Sequence, residues 1–443
     1  MLRIFSLFGL MLFGSMASAQ SLSLSLIEAQ QMAIDSSYAT RNARFNTEKK
    51  RKEVKDVLAN GLPQINGSAE LQNFLDIPVQ LVPAEFFGGE AGDFAEVKFG
   101  TKYNFNAGIS ATQLIFDGTY IVGLKASRTV VELSTNLELK SEQEIKFNVA
   151  EAYHTVLLAA ENLKILQENL GNIQKTLDDT QALFENGLTE QQDVDQIKLN
   201  RNQIQINIDN TQRFLDISRQ TLNFLIGIDL AREVVLTDNI ENLVLISNDE
   251  KYLERDPELY THPDYLVAKS NLEIQGLTVD GNKAAYYPSL SGFFNYRQTA
   301  QRNEFNFFDD NEPWFPTSII GLQLNVPIWS SFQRKARVQQ AEIGFKQSLM
   351  QLEQTEENLK LGVERARSNY ENALKKWGNQ KESIELARSI SDKTNIKYSE
   401  GIASSFELNV AESQLLNEQS KYIQAALDLL TAKQNLDKAL NIY

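Results

Sequence analysis

Apolar residues recur every three or four positions over long stretches of the chain. From Val149 to Phe184 this spacing is held without interruption, and a second stretch runs from beyond Gly187 to Leu225. A period of about 3.5 residues is typical of helices that pack side by side as a left-handed coiled coil. The pattern predicts a nearly continuous helix over 119–184 that reverses at a tight turn into a second long helix.

The same hairpin occurs a second time further along the chain. Residues 184–188 (FENGL) have their counterpart in residues 398–402 (YSEGI), 214 positions later, and the apolar spacing recurs over 363–436. An earlier pair, residues 62–67 (LPQING) and 287–292 (YPSLSG), is separated by 225 positions. Two copies of this length are too few and too long for a solenoid. We interpret them as a duplication of one structural half.

Each half also contains two stretches in which apolar and polar residues alternate. These stretches are 64–72 and 102–112 in the first half, and 290–296 and 320–328 in the second. Alternation with a period of two predicts amphipathic strands, here of roughly ten residues, the length of a tilted strand with lipid on one side and water on the other. A half-buried strand in a soluble sheet is the alternative. Four strands are too few to close a barrel, so a membrane role requires several chains.

The two copies define the predicted organisation of the chain. The first repeat is placed at 20–231, with strands at about 62–74 and 101–116 and a hairpin tip near 187. A connector follows at 232–255. The second repeat is placed at 256–443, with strands at about 287–297 and 317–329 and a tip near 401. Shorter helices are predicted over 26–59 and 263–285, and surface loops over 74–100 and 297–317.

The N-terminal segment reads as an export signal. Arg3 is followed by an apolar run and by small residues at 17–19, which predicts a signal peptide at 1–19 that is cut after Ala19. The apolar run is too short to favour a retained membrane anchor. The chain has no cysteine, which excludes disulfides, thiolate metal sites and a lipid-bearing cysteine after the leader.

Charge and motifs argue against nucleic-acid binding and against catalysis. The formal net charge of -15 would repel a polyanion. The two histidines, His154 and His262, lie far apart without metal-ligand spacing, and no P-loop, dinucleotide fingerprint or nucleophile elbow is present. The acidic loop residues Asp309, Asp310 and Glu312 are interpreted as a solvated surface. No enzyme activity, cofactor or metal is predicted.

Four short motifs and the two turns together resemble the TolC family of outer-membrane efflux proteins. The motifs are residues 62–65 (LPQI) and 287–290 (YPSL) at the start of a strand, and 113–118 (QLIFDG) and 326–329 (VPIW) at the end of one. The resemblance implies an α+β membrane protein with duplicated strand pairs and long coiled-coil hairpins. Three copies would form a 12-strand β-barrel continued by a 12-helix periplasmic α-barrel, the exit duct of a tripartite efflux pump or a type I secretion system.

The resemblance also implies partners and site residues. The partners would be two further copies of the chain, a periplasmic adaptor, an inner-membrane transporter of RND or ABC type, and outer-membrane lipid, but no nucleic acid. Gly187, Leu188, Gly401 and Ile402 would form the periplasmic tips that contact the adaptor. Family members with an acidic constriction carry a carboxylate at the position of Glu407.

The constriction pattern is incomplete in this chain. A second acidic position of that ring is Val410 here, so a double carboxylate gate is not expected. Asp193, the first-repeat counterpart of Glu407, and Asp195 are further candidates for charge near the mouth, and an exposed helical carboxylate is the structural alternative for all three. A polar, acidic lumen would favour cations.

An exported coiled-coil structural or adhesive protein is the alternative function. Such a fibre would not require a polar face on all four strands or equal helical arms around each turn, so these features favour the channel. The cargo, small toxic molecules or proteins, is left open by the sequence.

Overall fold

The computed structural model describes residues 22–309 and 311–442, so the predicted signal peptide at 1–19 lies outside the described residues. The described chain forms two compact units. We call residues 22–45, 137–265 and 356–442 the helical unit, and residues 46–136 and 266–355, apart from 310, the strand unit. Each unit draws on both repeats, and the boundaries between units fall inside long helices.

The described chain alternates short strand segments with long helices. Its helices are α1 (Leu26–Ser36), α2 (Tyr38–Ala59), α3 (Gly118–Glu185), α4 (Gln191–Ile226), α5 (Ile240–Ser247), α6 (Pro263–Ala284), α7 (Gln333–Ser399) and α8 (Ser405–Leu440). Its strands are β1 (Leu22–Leu24), β2 (Gln64–Asn73), β3 (Val79–Pro83), β4 (Phe94–Lys98), β5 (Tyr103–Phe116), β6 (Val234–Leu236), β7 (Ser289–Arg302) and β8 (Phe315–Asn325).

The predicted coiled-coil seams are confirmed by burial in the helical unit. Seam positions of all four long helices are buried, among them Val149, Val156, Ile173, Val194, Ile204, Leu222, Val363, Tyr370, Trp377, Leu408, Leu429 and Leu436. Their apolar side chains form continuous clusters between α3 and α4 and between α7 and α8. Within residues 22–309 and 311–442, no helix is both long enough and apolar enough to cross a bilayer.

Two buried tyrosines form hydrogen bonds with the segment that follows α4. The Tyr153 hydroxyl contacts the Leu24 carbonyl (3.0 Å) and the Asp238 carboxylate (2.7 Å), next to the parallel pair of β1 and β6. The Tyr370 hydroxyl donates to the Ser247 carbonyl at the end of α5 (2.5 Å). The predicted connector is therefore ordered against the core of the helical unit rather than being a free linker.

Two of the predicted elements differ from the structure for local reasons. The helix predicted over 26–59 is two helices, because Ser37 adopts an extended conformation and its hydroxyl accepts a hydrogen bond from the Thr40 backbone N–H (3.2 Å), which caps α2. The loop predicted over 74–100 contains an antiparallel hairpin of β3 and β4. The predicted surface loop thus contains strands of its own, and a short 3₁₀ turn ending at Gly88 in a left-handed conformation lets the chain reverse.

The extents of the strands in the second repeat also differ from the pattern. β7 continues to Arg302, beyond the predicted end at 297, because it pairs with β5 from Leu290 to Arg302. β8 ends at Asn325, short of the predicted 329. Pro327 follows shortly after and has no backbone N–H for a ladder hydrogen bond.

The four long strands form one antiparallel sheet in the order β2-β5-β7-β8. Its register places Ile65 opposite Ala111, Ala111 opposite Phe294, and Phe294 opposite Ile320. Opposed residues share a face of an antiparallel sheet, so the four predicted apolar faces lie on one side and the polar residues on the other. The edges of β2 and β8 have no strand partner within the described residues.

Candidate functional site at the hairpin turns

The two hairpin turns have the same backbone geometry. Gly187 and Gly401 both have φ of 72°, in the left-handed region that L residues avoid. The Leu188 N–H donates to the Leu183 carbonyl (2.9 Å), and the equivalent bond joins Ile402 to Lys397 (2.7 Å). These bonds satisfy the free carbonyls at a helix end, so the duplication of the chain reproduces one turn twice.

Each turn presents one large apolar side chain to solvent. Leu188 is 74% exposed and Ile402, its counterpart 214 positions later, is 76% exposed. Neither residue stabilises the fold by burial, and both follow the glycine directly. The structure thus gives the tip residues named from the sequence, Gly187, Leu188, Gly401 and Ile402, equivalent positions in the two hairpins.

The carboxylates predicted near the mouth begin the returning helices. The Glu407 side chain accepts a hydrogen bond from the Ser404 N–H (2.8 Å), and the Ser404 hydroxyl accepts one from the Glu407 N–H (3.2 Å). This is a capping box. The hydrogen bond from the Ser404 backbone lowers the pKa of Glu407, whose side chain remains exposed.

Asp193 has a second role that its position in the sequence did not indicate. One oxygen accepts from the Glu190 N–H (3.1 Å) and the Thr189 hydroxyl (2.5 Å), and the other accepts from the Ser405 hydroxyl at the start of α8. The bonds from Ser405 and Thr189 lower the pKa of Asp193. Asp193 therefore ties the first turn to the second within one chain.

A second contact joins the two hairpins, about two helical turns before Gly187 on the first and about one turn before Gly401 on the second. The hydroxyls of Thr180 in α3 and Tyr398 in α7 lie 2.8 Å apart. Burial raises the pKa of the Tyr398 hydroxyl, so it stays neutral and can serve as donor or acceptor. A groove of about 350 Å³ lies beside this pair, lined by Thr176, Asp179, Thr180, Leu183, Asn395 and Tyr398.

The remaining candidates are arranged differently. Asp195 is exposed and accepts a hydrogen bond from Gln191 on its own helix (3.0 Å), so the structure does not bring it to the tie between the turns. Val410 is exposed and lies one helical turn after the exposed Phe406 on α8. The first repeat has Gln192 and Gln196 at the equivalent positions. The two turns therefore share a backbone but differ in the polarity of the helix that follows.

Sequence reasoning missed a partly buried carboxyl between α7 and α8. Glu412 accepts a hydrogen bond from the buried Ser391 hydroxyl (2.8 Å), and burial raises its pKa. The heptad pattern gives a partial signal for this contact. Ser391 occupies a seam position, and a carboxylate next to a seam position is unusual. Among residues 22–309 and 311–442, no group of three or more acidic or histidine side chains is placed to hold a metal ion.

Comparison with solved structures defines the class of fold. CusC, which changes conformation as it folds and forms a transmembrane channel, aligns with a TM-score of 0.74 over 94% of this chain and 91% of its own, at 18% identity. The shared architecture consists of long helical hairpins and a strand domain.

The family assignment follows from the sequence as a whole. Residues 29–228 and 258–441 match the model of the outer membrane efflux protein family, and the chain belongs to that family. Relatives include the alkaline protease secretion protein AprF of Pseudomonas aeruginosa, 21% identical over 77% of this chain and 70% of AprF. The outer membrane protein TolC of Vibrio cholerae is 20% identical over 76% of each. The protein is accordingly an outer-membrane exit channel for efflux or secretion.

Proposed function

We propose that three copies of this chain assemble head to tail into one continuous duct that spans the outer membrane. The observation that carries this proposal is the four-stranded sheet, which has one apolar face and two open edges. Open edges are not tolerated in lipid, and four strands cannot close on themselves. Because the free edges belong to different strands, β2 and β8, pairing between copies is heterologous and closes as a ring. Three copies supply twelve strands.

Helix α4 supports the same arrangement within the helical unit. Leu199 and Ile206 are exposed and lie seven residues apart, as do Ile217 and Phe224. Their spacing forms a second coiled-coil seam, on a different face from the buried seam that contains Ile204. A helix of another copy satisfies this seam, and an adjoining groove of about 420 Å³ between α3 and α4 can accept its side chains.

The hairpin turns supply the contact with the pump. We infer that Leu188 and Ile402, with Gly187 and Gly401 setting the turns, bind the helical tips of a periplasmic adaptor. An inner-membrane transporter of RND or ABC type supplies the energy, and the channel itself is passive and performs no catalysis. The relative named for alkaline protease secretion favours a protein as one class of cargo, and small toxic molecules form the other.

We propose that the narrowest part of the duct lies just after the second turn. Glu407 contributes a ring of three carboxylates, and the exposed Phe406 and Val410 flank it with apolar surface. Asp193 holds the two turns together rather than facing the duct, and Asp195 adds charge on the adjoining helix. A carboxylate ring favours cation passage.

The assembly is tested first on the mature protein extracted in detergent. Its mass by light scattering is expected to be that of a trimer, and addition to planar bilayers is expected to give discrete, cation-preferring pores. A monomer that forms no pores would refute the duct and leave the exported coiled-coil fibre as the better function.

The constriction is tested by permeability ratios of single channels. Glu407→Gln, on α8, is expected to lower the cation preference. Asp216→Asn removes an exposed carboxylate on α4, away from the turns, and is expected to leave the preference unchanged. Asp195→Asn should have an intermediate effect. If Glu407→Gln and Asp216→Asn behave alike, Glu407 does not line the narrowest part.

A further inference from the structure

We propose that the end of the sheet nearest the helices carries a binding surface for anionic phospholipid headgroups of the periplasmic leaflet. The surface consists of Trp329, Phe332, Arg334, Lys335 and Arg337, which follow β8 directly. The proposal rests on the membrane-embedded duct of the preceding section and adds to it a specific lipid contact.

The apolar face of β8 has the dimensions of a bilayer interior. Its 11 residues, at about 3.3 Å per residue and a tilt near 40°, span roughly 28 Å, close to the ~25 Å apolar band of membrane strands. Ile320, Leu322 and Leu324 are exposed on this face. The chain that leaves β8 therefore lies at the boundary between hydrocarbon and headgroups.

Large apolar side chains mark that boundary on all four strands. Leu62 precedes β2, Phe116 ends β5, Tyr287 precedes β7 and Trp329 follows β8, and all four are exposed. The register of the sheet puts these positions at the same end. Aromatic residues gather at membrane interfaces because a ring combines an apolar body with polar or polarisable edges.

The segment after Trp329 carries cations and no acidic residue. No Asp or Glu occurs between Glu312 and Glu342, while Arg334, Lys335 and Arg337 all lie there, in a chain of net charge -15. Cations in the first turns of a helix oppose the helix dipole, so helix stability does not account for this grouping. Attraction to anionic headgroups does, since each Lys or Arg near such a surface is stabilised by it.

Several side chains of this surface have fixed neighbours at this end of the sheet. The Arg334 guanidinium donates to the Pro327 carbonyl (3.1 Å) and lies 5.8 Å from the centre of the Tyr286 ring. Trp329 and Phe332 pack edge to face, with ring centres 5.1 Å apart. Lys335 and Arg337 are exposed and form no ion pair with any residue of the described ranges. They remain available to headgroup phosphates.

Quenching of tryptophan fluorescence tests the contact directly. The mature protein is reconstituted in phosphatidylcholine vesicles that contain equal amounts of either brominated phosphatidylglycerol or brominated phosphatidylcholine. The Trp329→Phe variant reports the signal of the other two tryptophans. We expect stronger quenching of Trp329 by phosphatidylglycerol, and each cation removed should lower this preference about fivefold. Added salt should weaken the preference as well.

Two charge variants and a matched control separate lipid recognition from general charge. The double variant Lys335→Gln/Arg337→Gln removes only exposed side chains, and the triple variant adds Arg334→Gln. The control removes three exposed cations from the distant part of α7, at 365, 388 and 393. The control is expected to keep the phosphatidylglycerol preference and the charge variants to lose it.

The other outcomes overturn the proposal in distinguishable ways. Equal quenching of Trp329 by both lipids, in a protein that still forms pores, refutes the lipid contact and leaves the duct intact. Loss of the preference on adding inorganic phosphate, but not chloride at the same ionic strength, would identify a site for free phosphate instead. Absence of quenching by either lipid, together with absence of pores, refutes both this proposal and the duct.

Discussion

Acidification from pH 7.5 to pH 5 is expected to destabilise the helical unit by about 2 kcal/mol per chain through one residue, His154. The side chain is 3% exposed, and neither ring nitrogen has a hydrogen-bond partner among the described residues. Burial lowers its pKa from 6.5 to about 4, with Lys433 acting in the same direction and Asp238 against it. The native protein therefore holds this imidazole neutral.

Acid destabilises the folded chain because the unfolded chain binds the proton of His154 at a higher pH than the folded chain does. In the unfolded chain His154 takes up a proton as the pH falls through 6.5, whereas the folded chain resists until about pH 4. The contribution of His154 to the free energy of unfolding is fully present above pH 6.5 and is lost as the pH falls from 6.5 to about 4. The difference amounts to about 3 kcal/mol in full, and about 2 kcal/mol of it has been lost at pH 5.

Urea unfolding in detergent, followed by circular dichroism, measures the effect. The wild type is expected to lose stability between pH 7.5 and pH 5, and His154→Leu to lose about 2 kcal/mol less over the same interval. His262 serves as the control, because its Nδ1 accepts a hydrogen bond from the Asp264 N–H (3.2 Å) and the Asp264 carboxylate opposes the lowering of its pKa by burial. His262→Asn should keep most of the wild-type dependence. If His154→Leu and the wild type lose equal stability, the reasoning is refuted.

Three further predictions concern the hairpins. Glu412→Gln should raise the urea midpoint at pH 7.5 and leave it unchanged at pH 4, because burial raises the pKa of Glu412 above its unfolded value and ionisation is therefore unfavourable; a lower midpoint at pH 7.5 would contradict this. Asp193→Ala should speed the exchange of backbone amide hydrogens in both turns, since it removes the hydrogen bond from Ser405. An effect confined to the first turn would show that Asp193 does not couple the two turns. Gly401→Ala should lower the free energy of unfolding by about 1 kcal/mol, because the positive φ of Gly401 strains an L residue. Gly378→Ala is the control: this glycine lies inside α7 with open space around it, and the substitution should raise the free energy of unfolding by roughly 0.5 to 1 kcal/mol. Equal shifts in melting temperature would rule out the strain at Gly401.

The long helices and the turns could be predicted from the sequence because their signals are local. Seam positions such as Val149 and Leu429 repeat over many turns, and each error in phase would expose a whole row of apolar side chains. Gly187 and Gly401 mark a positive φ that few residues tolerate. The alternation in the strands likewise fixes which face is apolar, and the register then brings these faces to one side of the sheet.

The contacts between hairpins could not be predicted in the same way. Asp193 and Ser405 lie 212 residues apart, and a heptad pattern states which face of a helix is buried without stating against what. The same limit applies to Glu412, whose sequence context is that of a surface carboxylate, because the sequence does not show that α7 packs against it. The β3–β4 hairpin was missed because short strands within an apolar loop have no period long enough to distinguish them from irregular chain.

Under the proposed adaptor contact, the shared backbone of the two turns gives each chain two similar binding elements. An adaptor assembly with two tip-binding sites then engages both Leu188 and Ile402, and release from one turn leaves it bound to the other. The second contact then forms at a high effective concentration instead of from free solution. Removing one apolar tip should therefore shorten the lifetime of the complex, whereas removing both should abolish it, and the two losses should combine to far more than twice the effect of either.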